Sequence, residues 1–399
     1  MEKFFNNFLK TNYFKFYLIL IFLLSVLLLS QKFLYPTDWT TSEWLINYQG
    51  GFVRRGLIGE FLLIIHDISA INLRYLVFYF EITILLIFLL LIFKFLQNIY
   101  LNNLLIFLFF CPVFLIYPLA ENEVLVRKEY LLLSIYLFYL ILLLKNSYFI
   151  FLIILVFIPT MNLIWDGMIF YIFFFIFSFF CKKNLKKKEI IYFIFSFLPY
   201  LISLFFIIIS KSNPIGFEKM CISINENCFG AMYALDKTLL WNIEYVTSRF
   251  KLEYLFIHLI IIILCFTPIM FYSYFDNFKI CIGNFSAKKV LLKLNLLLIV
   301  SVCLFMYIGY DWGRWINIGY SFSILTLFFL IKNSNIDFYN NRISLLFDKF
   351  SFNNKKIFYF LFFCYTFTWN VKVIMTDDIG SLPYYRIITK SLKIISFYI

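Results

Sequence analysis

Charge is what this chain has least of. Only 14% of its 399 residues are Asp, Glu, Lys or Arg, and 63% are apolar. A soluble domain is about a quarter charged and about half apolar. An apolar excess of that size does not fit inside a globular core, because a chain of this length has too little interior to hide it. Histidine is nearly missing: His66 and His258 are the two present and lie far apart in the sequence, so no metal site is expected. Of the eight cysteines, Cys111, Cys265, Cys303 and Cys364 sit inside apolar runs, where cysteine serves as a small hydrophobe. Only Cys221 and Cys228 share a polar loop and form a candidate disulfide. Together these shortages exclude a soluble enzyme, a secreted disulfide scaffold, a zinc module and a disordered tail. An internal repeat of the secondary-transporter kind is also missing, and no cofactor is expected.

What is there is a succession of apolar runs, among them 16–30, 190–210 and 296–310, in a chain with 57 Phe and 29 Tyr. With their flanks these runs approach or exceed the roughly 18 residues a helix needs to span a bilayer. Hydropathy and loop charge together predict an all-α, polytopic transmembrane bundle of about eleven helices (ten to twelve). They are expected at 14–34, 74–95, 102–119, 130–144, 147–160, 166–181, 190–210, 253–274, 290–309, 315–331 and 356–372. The segment 57–66 is too short to span and reads as a re-entrant or interfacial helix packed against protein. The whole chain, 1–399, forms one integral-membrane domain.

Lys3, Lys10 and Lys15 place the N-terminus in the cytoplasm. Alternation then puts Lys94, Lys145, the 182–188 cluster, Lys279, Lys288, Lys289 and the 332–356 stretch on the same side, and every loop so assigned is lysine-rich. The net charge of +13 is therefore the positive-inside bias of a membrane protein, and nucleic acid is not an expected partner. Arginine behaves differently. Seven of eight (Arg54, Arg55, Arg74, Arg127, Arg249, Arg314 and Arg386) fall outside, and only Arg342 falls inside. The acids Asp38, Glu43, Glu60, Glu121, Glu123, Glu129, Asp166 and Asp311 share the arginine side. Arginine's planar fork grips carboxylates and phosphates at two points, where lysine is a point charge.

The outer loops 35–73, 120–129, 211–252 and 310–315 are expected to form the site, with 373–399 an outer tail carrying Asp377, Asp378 and Arg386. Within 35–60, Gly50, Gly51, Gly56 and Gly59 bracket Arg54 and Arg55, and Asp38 and Glu43 precede them. Backbone and guanidinium donors converging at a helix start make a natural anion seat; a merely solvated basic loop is the plainer alternative. In 121–129, Glu123 and Arg127 would pair on one face of a helix, with Lys128 beside them. Asp166, in the tight hairpin 147–181, is an acid at membrane depth, or else the cap of the sixth helix. Asp311 and Arg314, three apart and flanked by Trp312 and Trp315, either neutralise each other or have Asp311 orienting Arg314 toward a ligand. The loop 211–251 is long enough to cover this face as a partly helical lid.

These residues carry a resemblance. A polytopic chain with arginine-rich outer loops resembles bacterial O-antigen and capsular polysaccharide polymerases. The runs Gly51-Phe-Val-Arg-Arg-Gly-Leu-Ile-Gly59 and Asp311-Trp-Gly-Arg314 look like motifs of membrane proteins encoded with envelope sugar pathways. A second resemblance is to type C membrane glycosyltransferases, which place a catalytic acid in the first outer loop, where Asp38 stands with Glu43 in reserve; the paired acids of that group are not adjacent here. Both imply the bacterial inner membrane, a polyprenyl-(pyro)phosphate-linked sugar as substrate and envelope-biosynthesis proteins as partners. In that chemistry Asp38 or Asp311 is the base, Arg314 stabilises leaving-group charge, and Arg54, Arg55, Arg127, Lys128, Glu43, Asp166 and Trp312 bind the substrate. The competing class is a transporter or flippase, for which Glu81 is the clearest buried charge.

Overall fold

The computed structural model describes residues 9, 12–37, 39–182, 185–209, 214–224, 226, 230–235, 237, 239–275, 306–307, 309–333 and 342–398. Among them the fold is helical, with strand confined to one two-residue pair. In chain order the helices are α1 (Asn12–Leu34), α2 (Thr41–Trp44), α3 (Leu57–Ser69), α4 (Leu73–Leu96), α5 (Asn103–Phe109), α6 (Tyr117–Ala120) and α7 (Glu129–Leu144). There follow α8 (Phe149–Ile164), α9 (Asp166–Phe180) and α10 (Lys187–Ile207). The long connection holds α11 (Pro214–Ile224), α12 (Ala231–Leu235) and α13 (Leu239–Arg249). Last come α14 (Leu252–Phe275), α15 (Trp312–Lys332), α16 (Arg342–Asn353), α17 (Lys355–Phe367), the antiparallel β1 (Trp369–Asn370) and β2 (Gly380–Ser381), and α18 (Pro383–Tyr398).

Among the described residues, five helices are long and apolar enough to cross a bilayer: α1, α4, α10, α14 over Leu252–Ile269, and α15. The apolar helices α7, α8 and α9 are shorter. The expected span at 290–309 lies, but for three residues, outside the described ones. The least apolar of the five is the most enclosed: 89% of the α15 window is buried, against 28–39% for the others. Small and hydroxyl side chains (Gly319, Ser321, Ser323 and Thr326) let neighbours approach it closely, as in other membrane helix contacts. Tyr136 of α7 ties the centre together, its hydroxyl 2.8 Å from Ser178 Oγ of α9 and 2.6 Å from Thr326 Oγ1 of α15.

The helix expected at 102–119 is not one helix. It stops at Phe109 and resumes only as the single turn of α6. Pro112 supplies no amide hydrogen and disfavours helix in the residue before it, while Pro118 sits in the first turn of α6, where its missing amide costs nothing. Irregular backbone survives at membrane depth only where protein covers it and satisfies its polar groups. Both conditions hold: all of 101–120 but the half-buried Phe110 is buried. Tyr320 Oη donates to the Leu108 carbonyl at 2.6 Å, and Asn317 Nδ2 donates to Val113 O at 2.5 Å and Phe114 O at 3.3 Å. Pro159 acts similarly in α8, where the turn before it widens to a π-helix over Ile153–Phe157.

Two further corrections concern the ends of the chain's loops. Within the expected tail at 373–399, Pro383–Tyr398 folds back as α18, with Ile387, Ser391 and Ile394 buried on one face, and packs on α1 and α6. The span expected at 356–372 ends at Phe367, where the β1–β2 turn begins. The short helix near 57–66 is present as α3, whose Leu62 and Leu63 are buried while Phe61, Ile64 and Ile68 face outward. At about 20 Å it is too short to span. Gly59 lets it lie against the first loop, since a Cβ there would meet Ile46 O at 1.9 Å.

Candidate functional site

The one-turn helix α2, the loop before α3 and the N-termini of α7, α9 and α15 meet at one end of the bundle, and their charged residues gather there in one cluster. Glu43, on the one-turn helix α2 and 1% exposed, is its centre. Arg127 Nε donates to Glu43 Oε2 at 2.6 Å. Arg314 Nη2 lies 3.8 Å and Arg55 Nη1 3.9 Å from Glu43 Oε1. Arg314 also donates to Glu129 Oε1 and, through Nη1 at 3.0 Å, to Asp311 Oδ2, which Arg127 Nη1 approaches to 3.7 Å. Arg55 grips Asp166 Oδ1 with Nε at 2.7 Å and Nη2 at 2.6 Å, and Arg54 Nη1 stands 3.4 Å from Asp166 Oδ2. Lys128 Nζ donates to the Arg55 carbonyl at 2.9 Å.

Five cations thus meet four carboxylates. Burial alone would raise the Glu43 carboxyl, but Arg127, Arg314 and Lys128 outweigh it and hold the group well below the usual carboxylate range. Lys128 goes the other way. Burial pushes its ammonium down to about 7 against the pull of Glu43, with Arg55 adding to the fall. The cluster is graded in exposure. The side chains of Glu43, Arg127, Arg314 and Glu129 are at most 5% exposed, while Arg54 (34%), Asp311 (27%), Arg55 (24%) and Asp166 (15%) form an open rim.

The backbone is bent to build this. Arg55 has φ 68° and Val126 φ 48°, a left-handed conformation unusual for any side chain and most costly for a β-branched one. The first turns Arg55 toward Asp166. The second lies between extended Leu125 and Arg127 and aims Arg127 inward. At the other entry, Gly313 admits the segment after β1: its amide donates to Val373 O at 3.0 Å, and a Cβ would meet Lys372 O at 1.9 Å.

Most of the residues expected in the site come together here: Glu43, Arg54, Arg55, Arg127, Lys128, Asp166, Asp311 and Arg314. Asp38 lies outside the described residues. Trp312 does not join them. Its indole donates to Met306 O at 2.7 Å and its ring packs edge-on to His258 at 4.9 Å, so α15 turns it away and presents Trp315 instead, 4.9 Å from the Arg314 guanidinium and stacked at 6.2 Å on Trp165. Glu43 is paired with guanidinium groups, and the buried Lys128 ammonium donates to a backbone carbonyl. The Glu123–Arg127 pair is not made, because 122–124 is a single 3₁₀ turn and Arg127 pairs with Glu43. Asp166 opens α9 without capping it.

Glu129, expected on this side but without an assigned role, joins the cluster, and a second polar layer lies beneath it. Lys32 Nζ donates to Leu125 O at 2.5 Å and lies 4.0 Å from Glu81 Oε1, which also accepts from Trp44 Nε1 at 3.0 Å. Lys32 stands out in the sequence as a lysine at the expected outer end of the first span. The connection 211–251 is partly helical as expected. Its α12 packs on α2, and Arg74 binds Glu226 at two points, 2.8 and 2.9 Å. Cys221 is disulfide-bonded, and Cys228 lies outside the described residues. On the far side of α6, Arg386 donates to Glu121 and Lys390 donates to Ala120 O at 2.6 Å. Comparison of the chain with protein-family models, with curated proteins and with solved structures gives no match.

Proposed function

We propose that this chain is a membrane enzyme of cell-envelope glycan assembly, transferring or polymerising polyprenyl-(pyro)phosphate-linked sugars at the outer face of the bacterial inner membrane, with its N-terminus in the cytoplasm. The observation that carries the reading is the pair of adjacent arginines, Arg54 and Arg55, on an open rim at one end of an apolar bundle, backed by buried arginines that carboxylates hold. Preorganised cations are what the departure of an anionic phosphate from a sugar requires, because the charge they meet develops in the transition state. In this scheme Arg54 and Arg55 take the phosphate, and Asp311, partly exposed on the same rim, accepts the proton of the incoming hydroxyl. Asp38 is the alternative base. Membrane lipids flank the site, and envelope-biosynthesis proteins are its expected partners. The test is transfer from a lipid-linked oligosaccharide in cells carrying the Arg54→Ala/Arg55→Ala variant at matched expression. Unchanged glycan would overturn the assignment.

A transporter or flippase for a lipid-linked or anionic small substrate is the second reading. Two features favour it: the interrupted segment 103–120 and the Lys32–Glu81 pair between two spans. Glu81→Gln should then abolish substrate movement across vesicles, and unimpaired movement counts against it.

A further inference from the structure

The acids of the cluster are not held alike. Glu43 and Glu129 are buried, and Asp311 is held by arginines from two different elements. Asp166, at the tip of the α8–α9 hairpin and on the rim like Asp311, differs from all three in its partners: among the described residues it is held only by the two neighbouring arginines of one loop. Both Arg55 donors fall on one carboxylate oxygen while Arg54 faces the other. The two guanidiniums thus enclose a small tetrahedral or planar anion from two sides, and a carboxylate of the protein occupies that place.

We propose that Asp166 is a resident anion in the Arg54–Arg55 seat, and that a phosphate-bearing ligand takes the seat by displacing it. This rests on the phosphate reading above and adds how the seat is kept and for whom. Without an anion between them, adjacent guanidiniums repel, so the empty site needs a charge to remain assembled. A tethered carboxylate supplies it at high effective concentration. Singly charged, weakly bonding ions cannot compete with it. A phosphate or pyrophosphate can, since it brings more charge and at least three acceptor oxygens to a pair of forks shaped for them. Displacement needs only rotation of the Asp166 side chain toward the open rim, because the turn that carries it is fixed by Trp165, stacked on Trp315 and Tyr171. The freed carboxylate then stands beside the bound ligand, and the seat rejects anions too weak to free it.

The experiment uses the full chain in lipid nanodiscs, with inorganic pyrophosphate and geranylgeranyl phosphate as separate probes and thermal unfolding recorded for each variant. Asp166→Asn keeps the shape and removes the competing charge. It should bind the probe about tenfold tighter or more, the size expected when one charge-assisted hydrogen bond no longer has to be broken. Asp166→Glu, which keeps a charge, should bind no tighter than the native chain, and Arg55→Ala should lose binding. Gain for both probes assigns the seat to phosphate itself, and gain for the isoprenyl phosphate alone assigns it to a lipid headgroup. If the native chain binds a probe and a folded Asp166→Asn binds it equally or more weakly, displacement is overturned while the phosphate seat stands. If neither probe binds to native chain or variant, the seat falls, and displacement with it.

Discussion

Arg127 and Glu43 are 84 residues apart in the chain and joined by a 2.6 Å charge-assisted hydrogen bond with both side chains nearly sealed from outside. The pair fastens the first loop to the start of α7. It also fixes the geometry of the cluster, because Glu43 offers its other oxygen to Arg55 and Arg314. A carboxylate so placed is already shared among three guanidiniums. It is the counter-charge that allows arginines to be packed side by side beneath the rim.

Removing Glu43 should therefore harm the fold before the chemistry. Breaking a buried ion pair from one side leaves an uncompensated charge and costs about 3–5 kcal/mol. Glu43→Ala should lower the unfolding temperature of the detergent-solubilised protein markedly, and Glu43→Gln less, since it still accepts from Arg127. Equal stability of all three forms would mean the arginines are neutralised from elsewhere.

The break between α5 and α6 gives a second prediction. Tyr320→Phe removes one hydroxyl and orphans the Leu108 carbonyl, and Asn317→Leu orphans Val113 and Phe114. Each should destabilise by about 1–3 kcal/mol, read as a loss of resistance to heat or to denaturing detergent. The same hydroxyl deletion at Tyr385, which faces outward, should do nothing measurable.

How far the sequence reached can be judged from these same residues. Alternating topology places all the loops of one side in one layer, so Arg54, Arg127, Asp166 and Arg314 were legible as neighbours although they span 260 positions of the chain. Which acid each arginine takes was not legible. That depends on Val126 and Arg55 adopting left-handed backbone, which no propensity favours in a valine. Likewise the two tryptophans beside Arg314 are alike in the sequence, and only packing against α14 and α9 decides that Trp312 turns away and Trp315 turns in. The failure at 102–119 had a visible cue in Pro112 and Pro118, overridden by an unbroken apolar run. The stretch read as an outer tail folds as α18, and its partner, the α1–α6 surface, is a tertiary fact that no local pattern announces.

Acidity gives the third prediction. Lys128 has a folded-state value of about 7, against about 10.4 for an unperturbed lysine. Between those values the unfolded chain holds a proton that the folded chain has released, so this group makes stability rise with pH across that window and adds no slope below it. Lys128→Met should flatten the rise in unfolding temperature between pH 7 and 10. A slope identical to that of the native chain would show that Lys128 stays charged on burial.

The final prediction separates chemistry from assembly. Arg54 and Arg55 lie on the rim, with side chains 34% and 24% exposed, whereas Arg314 is 4% exposed between three carboxylates. Arg54→Ala/Arg55→Ala should leave a folded, normally inserted protein that has lost transfer, by about a hundredfold or more if these donors meet leaving-group charge. Lysine at both positions should restore little, because a point charge does not reproduce a two-pronged grip. Arg314→Ala should instead lower both stability and activity, since Glu43, Glu129 and Asp311 then face one another with one cation fewer. Asp311→Asn keeps its bond to Arg314 as a neutral acceptor, so it should fold and insert normally yet fail in transfer if Asp311 is the base. Glycan chain length at matched expression, measured beside unfolding temperature for each variant, distinguishes these outcomes. Full activity in the double alanine variant would move the phosphate seat off the rim.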